Sequence, residues 1–160
     1  MKPSLYLIDN CPAGCLFIMP KPSGEWLEDD IAHYKMKGIT DVVSLLRNDE
    51  IAELNLLDEE RFCTNANIGF TRLPIRDRGL PDLNLLKQLA LKLAEILKNE
   101  ASLAIHCRAG IGRAGLLSCC ILQELGMDAE EAIKSVSNAR GVIVPDTNEQ
   151  REFILNYMKQ

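Results

Sequence analysis

Ile105-His106-Cys107-Arg108-Ala109-Gly110-Ile111-Gly112-Arg113 sets one cysteine and one arginine around a short loop that carries two glycines. The apolar run Leu103-Ala104-Ile105 reads as a buried strand, and the residues from Leu116 onward read as a buried helix. Cys107 therefore falls where a strand has stopped and a helix has yet to begin. There the backbone N–H groups of residues 108 to 113 lack helical partners and can converge on a tetrahedral oxyanion. Gly110 and Gly112 can take positive φ and let the chain pass close to such an anion. Arg113 adds a planar fork able to grip two phosphate oxygens at once. The same donors, together with Arg108, favour a thiolate at Cys107. A thiolate at the floor of an oxyanion cradle can attack phosphorus in line and form a cysteinyl-phosphate that water later hydrolyses.

The leaving oxygen needs a proton, so a second group must wait across the cleft. Arg72-Leu73-Pro74-Ile75-Arg76-Asp77-Arg78-Gly79-Leu80-Pro81 offers one: Leu73 to Ile75 would end a strand, Gly79 and Pro81 mark a loop, and Asp77 is the carboxyl group within it. Asp77 could act as general acid in the first step and general base in the second, contributing roughly 10²–10⁴ in rate. Asp82 is its rival, but it follows Pro81 and opens a helix, which suits an N-cap.

These residues resemble the His-Cys-x5-Arg signature of the cysteine-based protein tyrosine phosphatases, in their small dual-specificity-like branch. The likeness runs nearly the whole chain. Met19-Pro20-Lys21-Pro22, Trp26-Leu27-Glu28-Asp29-Asp30 and Val42-Val43-Ser44-Leu45-Leu46 are similar to bacterial cytosolic members related to kinase-associated phosphatases. The resemblance implies that Cys107 is the nucleophile and that Arg113, with the loop from Arg108 through Ala109, Gly110, Ile111 and Gly112, binds phosphate. It places Asp77, 30 residues before the cysteine, on the family's general acid. His106 would tune Cys107 by orienting the loop. Arg140 to Gln150 looks like the segment whose glutamine positions the hydrolytic water, which maps to Gln150; Thr147-Asn148-Glu149-Gln150 is also a capping-box pattern, and both roles can coexist. No metal and no organic cofactor are implied.

One position departs from the family. Ser or Thr usually follows the loop arginine, where its hydroxyl hydrogen-bonds the cysteine sulfur; this chain has Ala114. Losing one hydrogen bond to a charged group costs roughly 1.5–3 kcal/mol, or about one to two powers of ten in rate. Slow turnover with an initial burst is the expectation, and Ser118, a helical turn further on, is too far to substitute.

Length and composition frame these readings. At 160 residues with 47% hydrophobic residues, the chain suits a single phosphatase domain over 1–160. A net charge of −5 and a pI near 5.1 argue against nucleic acid or anionic membranes as partners. Locally, Arg76, Arg78, Arg108 and Arg113 would surround the cleft and draw in an anionic phosphoprotein or phosphopeptide; the oligomeric state stays open, with a monomer as the default. The first 20 residues lack the order of a signal peptide and no segment approaches a membrane span. Six cysteines include adjacent Cys119 and Cys120 on one helix and a Cys107 that must stay free, which suits a reducing cytoplasm. Cys11 and Cys15 form a Cys-x3-Cys pair without a matching second pair, so they read as small apolar residues beside a turn rather than zinc ligands.

Periodicity supplies the scaffold. Strands are expected at Ser4–Ile8, Leu16–Met19, Val42–Leu46, Phe70–Pro74 and Leu103–His106. Helices are expected from Glu25 to Lys37 behind a Ser23 cap, with Trp26, Ile31 and Tyr34 partly inward. Two short ones follow, one capped by Asn48 and running through Leu54 and one from Asp58 through Thr64. The clearest runs from an Asp82 cap to Asn99, with Leu86, Leu89, Ala90, Leu93, Ile96 and Leu97 on one face. The last three span Gly112 to Leu125, Asp128 to Asn138 and Thr147 to Met158. This alternation implies an α/β three-layer sandwich around a mainly parallel sheet of about five strands, with the site at the carboxyl ends of the strands. Besides a protein phosphatase, the residues leave open a phosphate-binding pseudoenzyme, an inositol or lipid phosphate phosphatase, and a sulfur-transfer domain, whose loop to the arginine is typically shorter.

Overall fold

The computed structural model describes residues 2–159. Five strands form one sheet in the order β1-β2-β5-β3-β4: β1 is Tyr6–Leu7, β2 Cys15–Met19, β3 Asp41–Ser44, β4 Gly69–Arg72 and β5 Ser102–His106. Only β1 runs antiparallel, with Tyr6 opposite Ile18; β2, β5, β3 and β4 are parallel, and β5 lies at the centre. Parallel strands need crossovers, and the helices supply them: α1 (Leu27–Met36), α2 (Asn48–Glu53), α3 (Glu59–Asn65), α4 (Leu83–Lys98), α5 (Gly112–Glu124), α6 (Ala129–Arg140) and α7 (Asn148–Asn156), followed by a 3-10 turn at Tyr157–Lys159.

Strand alternation splits the core into two layers. Leu16, Ile18, Val43, Leu103 and Ile105 pack with α4 to α7, whereas Met19, Val42 and Ala104 pack with α1 and α3. On α5, every residue from Gly112 to Gln123 is buried. A helix buried on nearly every side sits in the interior, and α5 lies against α4, α6, α7 and β2. No helix among the described residues is long and apolar enough to cross a membrane.

The expected elements appear, with shifted ends. The first helix starts at Leu27 rather than Glu25, because the Ser23 hydroxyl accepts from the Trp26 amide and the Ser23 amide donates to Asp30, which makes a turn ahead of the helix. Trp26 is accordingly outside the core, 59% exposed, while Ile31 and Tyr34 are buried. Asn48 is the first helical residue and not the cap; Glu50 reaches back to the Arg47 amide at 3.0 Å. On α4, Ala94 is buried and Ile96 only half-buried, so the buried stripe follows 86, 89, 90, 93, 94, 97. The strand before the acid loop stops at Arg72, short of Pro74, whose missing N–H cannot extend a ladder.

Candidate active site

Cys107 is the first residue beyond β5, and α5 starts five residues later at Gly112. Between them the chain turns tightly under β2. Gly110 has φ +74°, and a Cβ there would overlap the main chain of Met19 and Pro20, so only glycine lets the loop tuck in so closely. The Lys21 amide donates to the Arg108 carbonyl at 3.1 Å from the other side. Arg140, in the last turn of α6, donates from Nε to the Gly110 carbonyl and from Nη2 to the Ala109 carbonyl, both at 3.1 Å, while its guanidinium lies 4.4 Å above the Tyr6 ring. Three successive loop carbonyls, those of Arg108, Ala109 and Gly110, are thus bonded to neighbouring segments.

A cavity of about 170 Å³ opens there, lined by Cys107, Arg108, Ala109, Gly112, Arg113, Asp77, Arg78 and Asp146. Cys107 is 3% exposed and Arg113 2%. The guanidinium is locked from behind: Nη1 and Nη2 donate to the two carboxylate oxygens of Glu50 at 2.7 and 3.0 Å, and Nη1 also donates to the Ile75 carbonyl at 2.9 Å. Asp77, on the exposed rim, places Oδ1 3.4 Å from Arg113 Nη2. Arg108 leans on the same acidic helix, with Nη2 3.3 Å from Glu53 and Nε 3.7 Å from Glu50.

The acid loop and the helix end are tied together. Gln150 is fully buried: its Nε2 donates to the Gly79 carbonyl at 3.2 Å, and its Oε1 accepts from the Thr147 amide at 3.2 Å. The Thr147 hydroxyl returns a bond to the Gln150 amide, which completes the capping box. The capping box is thus present, and the same side chain anchors the loop bearing Asp77; it does not line the cavity where a hydrolytic water would attack. Asp82 caps α4 by accepting from the Leu85 amide at 3.0 Å, away from the cavity lining. His106 is wholly buried and makes two bonds: Nδ1 with the Cys107 carbonyl at 3.0 Å and Nε2 with Glu59 at 2.6 Å. Of the four arginines expected around the cleft, Arg78, Arg108 and Arg113 line it and Arg76 does not, nor do Gly110 and Ile111 of the phosphate loop. Ala114 is fully buried, and the Ser118 hydroxyl is buried without a hydrogen-bond partner among the described residues.

A match to the family described as "PTP-SAK: Swiss Army Knife protein, DSP-PTPase phosphatase domain" covers residues 15–151. The chain belongs to the cysteine-based protein tyrosine phosphatase superfamily, in its dual-specificity-like branch. This phosphatase domain is 30% identical over 146 residues to cyclin-dependent kinase inhibitor 3 of Rattus norvegicus, covering 88% of the chain and 66% of that protein, so it spans just under two thirds of the relative's length. In three dimensions it superposes on a kinase-associated phosphatase whose catalytic-site cysteine was replaced by serine, with TM-score 0.90, 21% identity and coverage of 99% and 96% of the two chains. The human tyrosine phosphatase-like serine/threonine/tyrosine-interacting protein is also similar in fold, with TM-score 0.71, 17% identity and coverage of 97% and 95%.

Four residues of the phosphatase domain's site were not legible from sequence. Glu50 and Glu59 sit on short helices where an acid looks like a solvated charge, and both are buried. Asp146 lies in the Arg140–Gln150 segment but lacks a motif of its own, and its carboxylate fills the space where a Cβ on Gly112 would go. Arg140 fell beyond the helix expected to end at Asn138; the helix runs on to Arg140 and ends at Gly141, with φ 81°.

The Glu50–Arg113 pair is a stability element as well. Burial alone would raise the Glu50 pKa, but Arg113 bonding, the Arg47 amide and the Arg108 charge hold it below the usual carboxylate range. A depressed folded value means that the pair's stabilisation is complete above about pH 4.3, the ordinary glutamate value, and is lost as pH falls through the lower folded value. Arg113→Ala removes the bidentate partner and leaves Glu50 only the Arg47 amide and the more distant Arg108, which lowers the unfolding free energy by roughly 1.5–3 kcal/mol. Denaturant unfolding at pH 7 and below pH 4 checks both statements: the gap between wild type and Arg113→Ala narrows in acid.

Proposed function

We propose that this chain, as one domain over residues 1–160, is a phosphomonoester hydrolase acting on phosphotyrosine, and on phosphoserine or phosphothreonine, in phosphorylated proteins or peptides. Residues 1 and 160 lie outside the described residues. The observation that carries the reading is Cys107 on the floor of an arginine-lined cavity with the Asp77 carboxyl across its mouth, 3.4 Å from Arg113. The Cys107 thiolate attacks phosphorus in line, the S–P bond forms as the ester P–O bond breaks, and Asp77 gives its proton to the leaving oxygen. Arg113 and the amides of residues 108 to 113 hold the three equatorial oxygens through the transition state. In the second step Asp77 takes a proton from water, whose oxygen attacks phosphorus and releases phosphate and thiolate. Gln150 supports this step by fixing the loop that carries Asp77. A reducing cytoplasm suits a free nucleophilic thiol.

A second reading is favoured by Ala114: a phosphate-binding pseudophosphatase that traps phosphorylated partners. A panel of p-nitrophenyl phosphate, phosphotyrosine and phosphothreonine peptides, and inositol phosphates separates these. Multiple turnovers on the aryl and peptide substrates support the hydrolase. Saturable binding of phosphopeptide with no phosphate released supports the trap, and turnover confined to inositol phosphates moves the substrate class.

The acid assignment has its own check. Asp77→Asn lowers kcat on a phosphopeptide by roughly 10²–10⁴-fold and flattens the pH profile. Asp82→Asn leaves kcat and stability nearly unchanged, because asparagine caps a helix about as well as aspartate. The opposite pattern in steady-state kinetics would exchange the two roles.

A further inference from the structure

The buried pair between His106 and Glu59 has no part in the chemistry proposed above, yet it is bonded to the nucleophile's own backbone. A carbonyl oxygen only accepts, so His106 Nδ1 must carry the hydrogen it shares with the Cys107 carbonyl at 3.0 Å. The other ring nitrogen lies 2.6 Å from Glu59 Oε2, a separation short enough for a charge-assisted bond. Glu59 is 2% exposed and His106 0%, so solvent screens neither. Burial would lower the His106 pKa, but the Glu59 charge and hydrogen bond, with the Cys107 carbonyl, carry it above the usual histidine value. With both nitrogens donating, the ring is an imidazolium, bonded on one side to the Cys107 carbonyl and on the other to the carboxylate that balances its charge.

We propose that Glu59 is a positioning residue for the nucleophile: it keeps His106 charged next to Cys107 and so extends the thiolate to more acidic pH than a neutral ring would allow. This rests on Cys107 being the nucleophile of the proposed hydrolase, and it assigns to that site a carboxylate on α3. The charges around the pair are few. Lys21 opposes the imidazolium from the segment after β2. Arg113 faces Cys107 from α5, with Glu50 behind it and Asp77 on the rim, and Arg108 is held by Glu50 and Glu53. Beside Glu59 on α3 lie Glu60 and Cys63, whose thiol burial pushes up to about 12, and from α1 come Asp30 and Tyr34, whose hydroxyl is driven up by burial. Burial keeps the Cys63 thiol and the Tyr34 hydroxyl neutral between pH 4 and 8.

Two measurements test this in the full chain, and neither needs turnover. Nitrogen NMR of the wild type reads the two histidines, His33 and His106. His106 is expected to show two protonated nitrogens at pH 7, whereas a neutral ring overturns the proposal even if no variant folds. Iodoacetate alkylation of Cys107, followed on its peptide by mass spectrometry across pH 4 to 9, reads the thiolate. In Glu59→Gln, which keeps a hydrogen-bonding partner but removes the charge, the midpoint of the profile moves up by about one pH unit. Alkylation then slows about tenfold at the acid end and is unchanged at the alkaline plateau, and Glu59→Asp restores much of the wild-type profile. A folded Glu59→Gln with an unmoved midpoint overturns the role of Glu59 alone. A wild-type profile like that of an ordinary thiol overturns the nucleophile assignment together with it.

Discussion

Cys107→Ser lowers phosphate release from p-nitrophenyl phosphate by roughly 10⁴-fold or more, and it leaves phosphopeptide binding intact. The size of the loss follows from the role: a serine hydroxyl in the same place stays protonated, and its neighbours supply no base to activate it. Removing a nucleophile that works as a unit with its surroundings typically leaves only the contribution of binding and charge stabilisation. The cavity survives the change, since Arg113 is held by Glu50 and the Ile75 carbonyl rather than by the sulfur. The loop is held by Arg140 and Lys21. Steady-state assays beside calorimetric titration with a phosphopeptide check both halves, and residual turnover within tenfold of wild type would remove Cys107 from the mechanism.

Ala114→Ser raises turnover by about ten- to a hundredfold. The third residue of α5 is a buried methyl where relatives by resemblance carry a hydroxyl, and Ser118, the next hydroxyl on the helix, is itself buried without a partner among the described residues. A hydrogen bond to a charged sulfur contributes roughly 1.5–3 kcal/mol, and it counts most when sulfur leaves phosphorus, because negative charge then returns to it. The wild type is therefore expected to show a burst of aryl leaving group equal to the enzyme concentration, followed by a slow steady phase. In Ala114→Ser the burst shrinks and the steady phase quickens. Rapid-quench kinetics check this, and a wild type without a burst would show that the second step is not the slow one. If neither protein turns over while both bind phosphopeptide, the trapping reading takes the place of the hydrolase.

These expectations divide along the line between local and long-range information. Cys107, Arg113 and the glycines between them were legible because a strand end, a loop and a helix start are contiguous in the chain, and the chemistry of an anion cradle needs that contiguity. Asp77 was legible as a carboxyl in a turn after a strand, since parallel strands bring their carboxyl ends to one face. The parallel sheet itself followed from alternating strand and helix patterns, which are local hydrophobic periodicities.

Glu50, Glu59, Asp146 and Arg140 are different, because their importance comes from pairings across 63, 47 or about 30 residues of chain. An acid on a short helix has the same local signature whether water or a buried arginine lies opposite. Nor could spacing show that Arg76 would miss the cleft or that the turn at Ser23 would leave Trp26 outside the core. The sequence by itself determined which residues form the nucleophile loop and in what order the layers wind. Only the tertiary structure decided which charges are buried against one another, because desolvation and pairing energies depend on what the fold brings within 3 Å and not on neighbours in the chain.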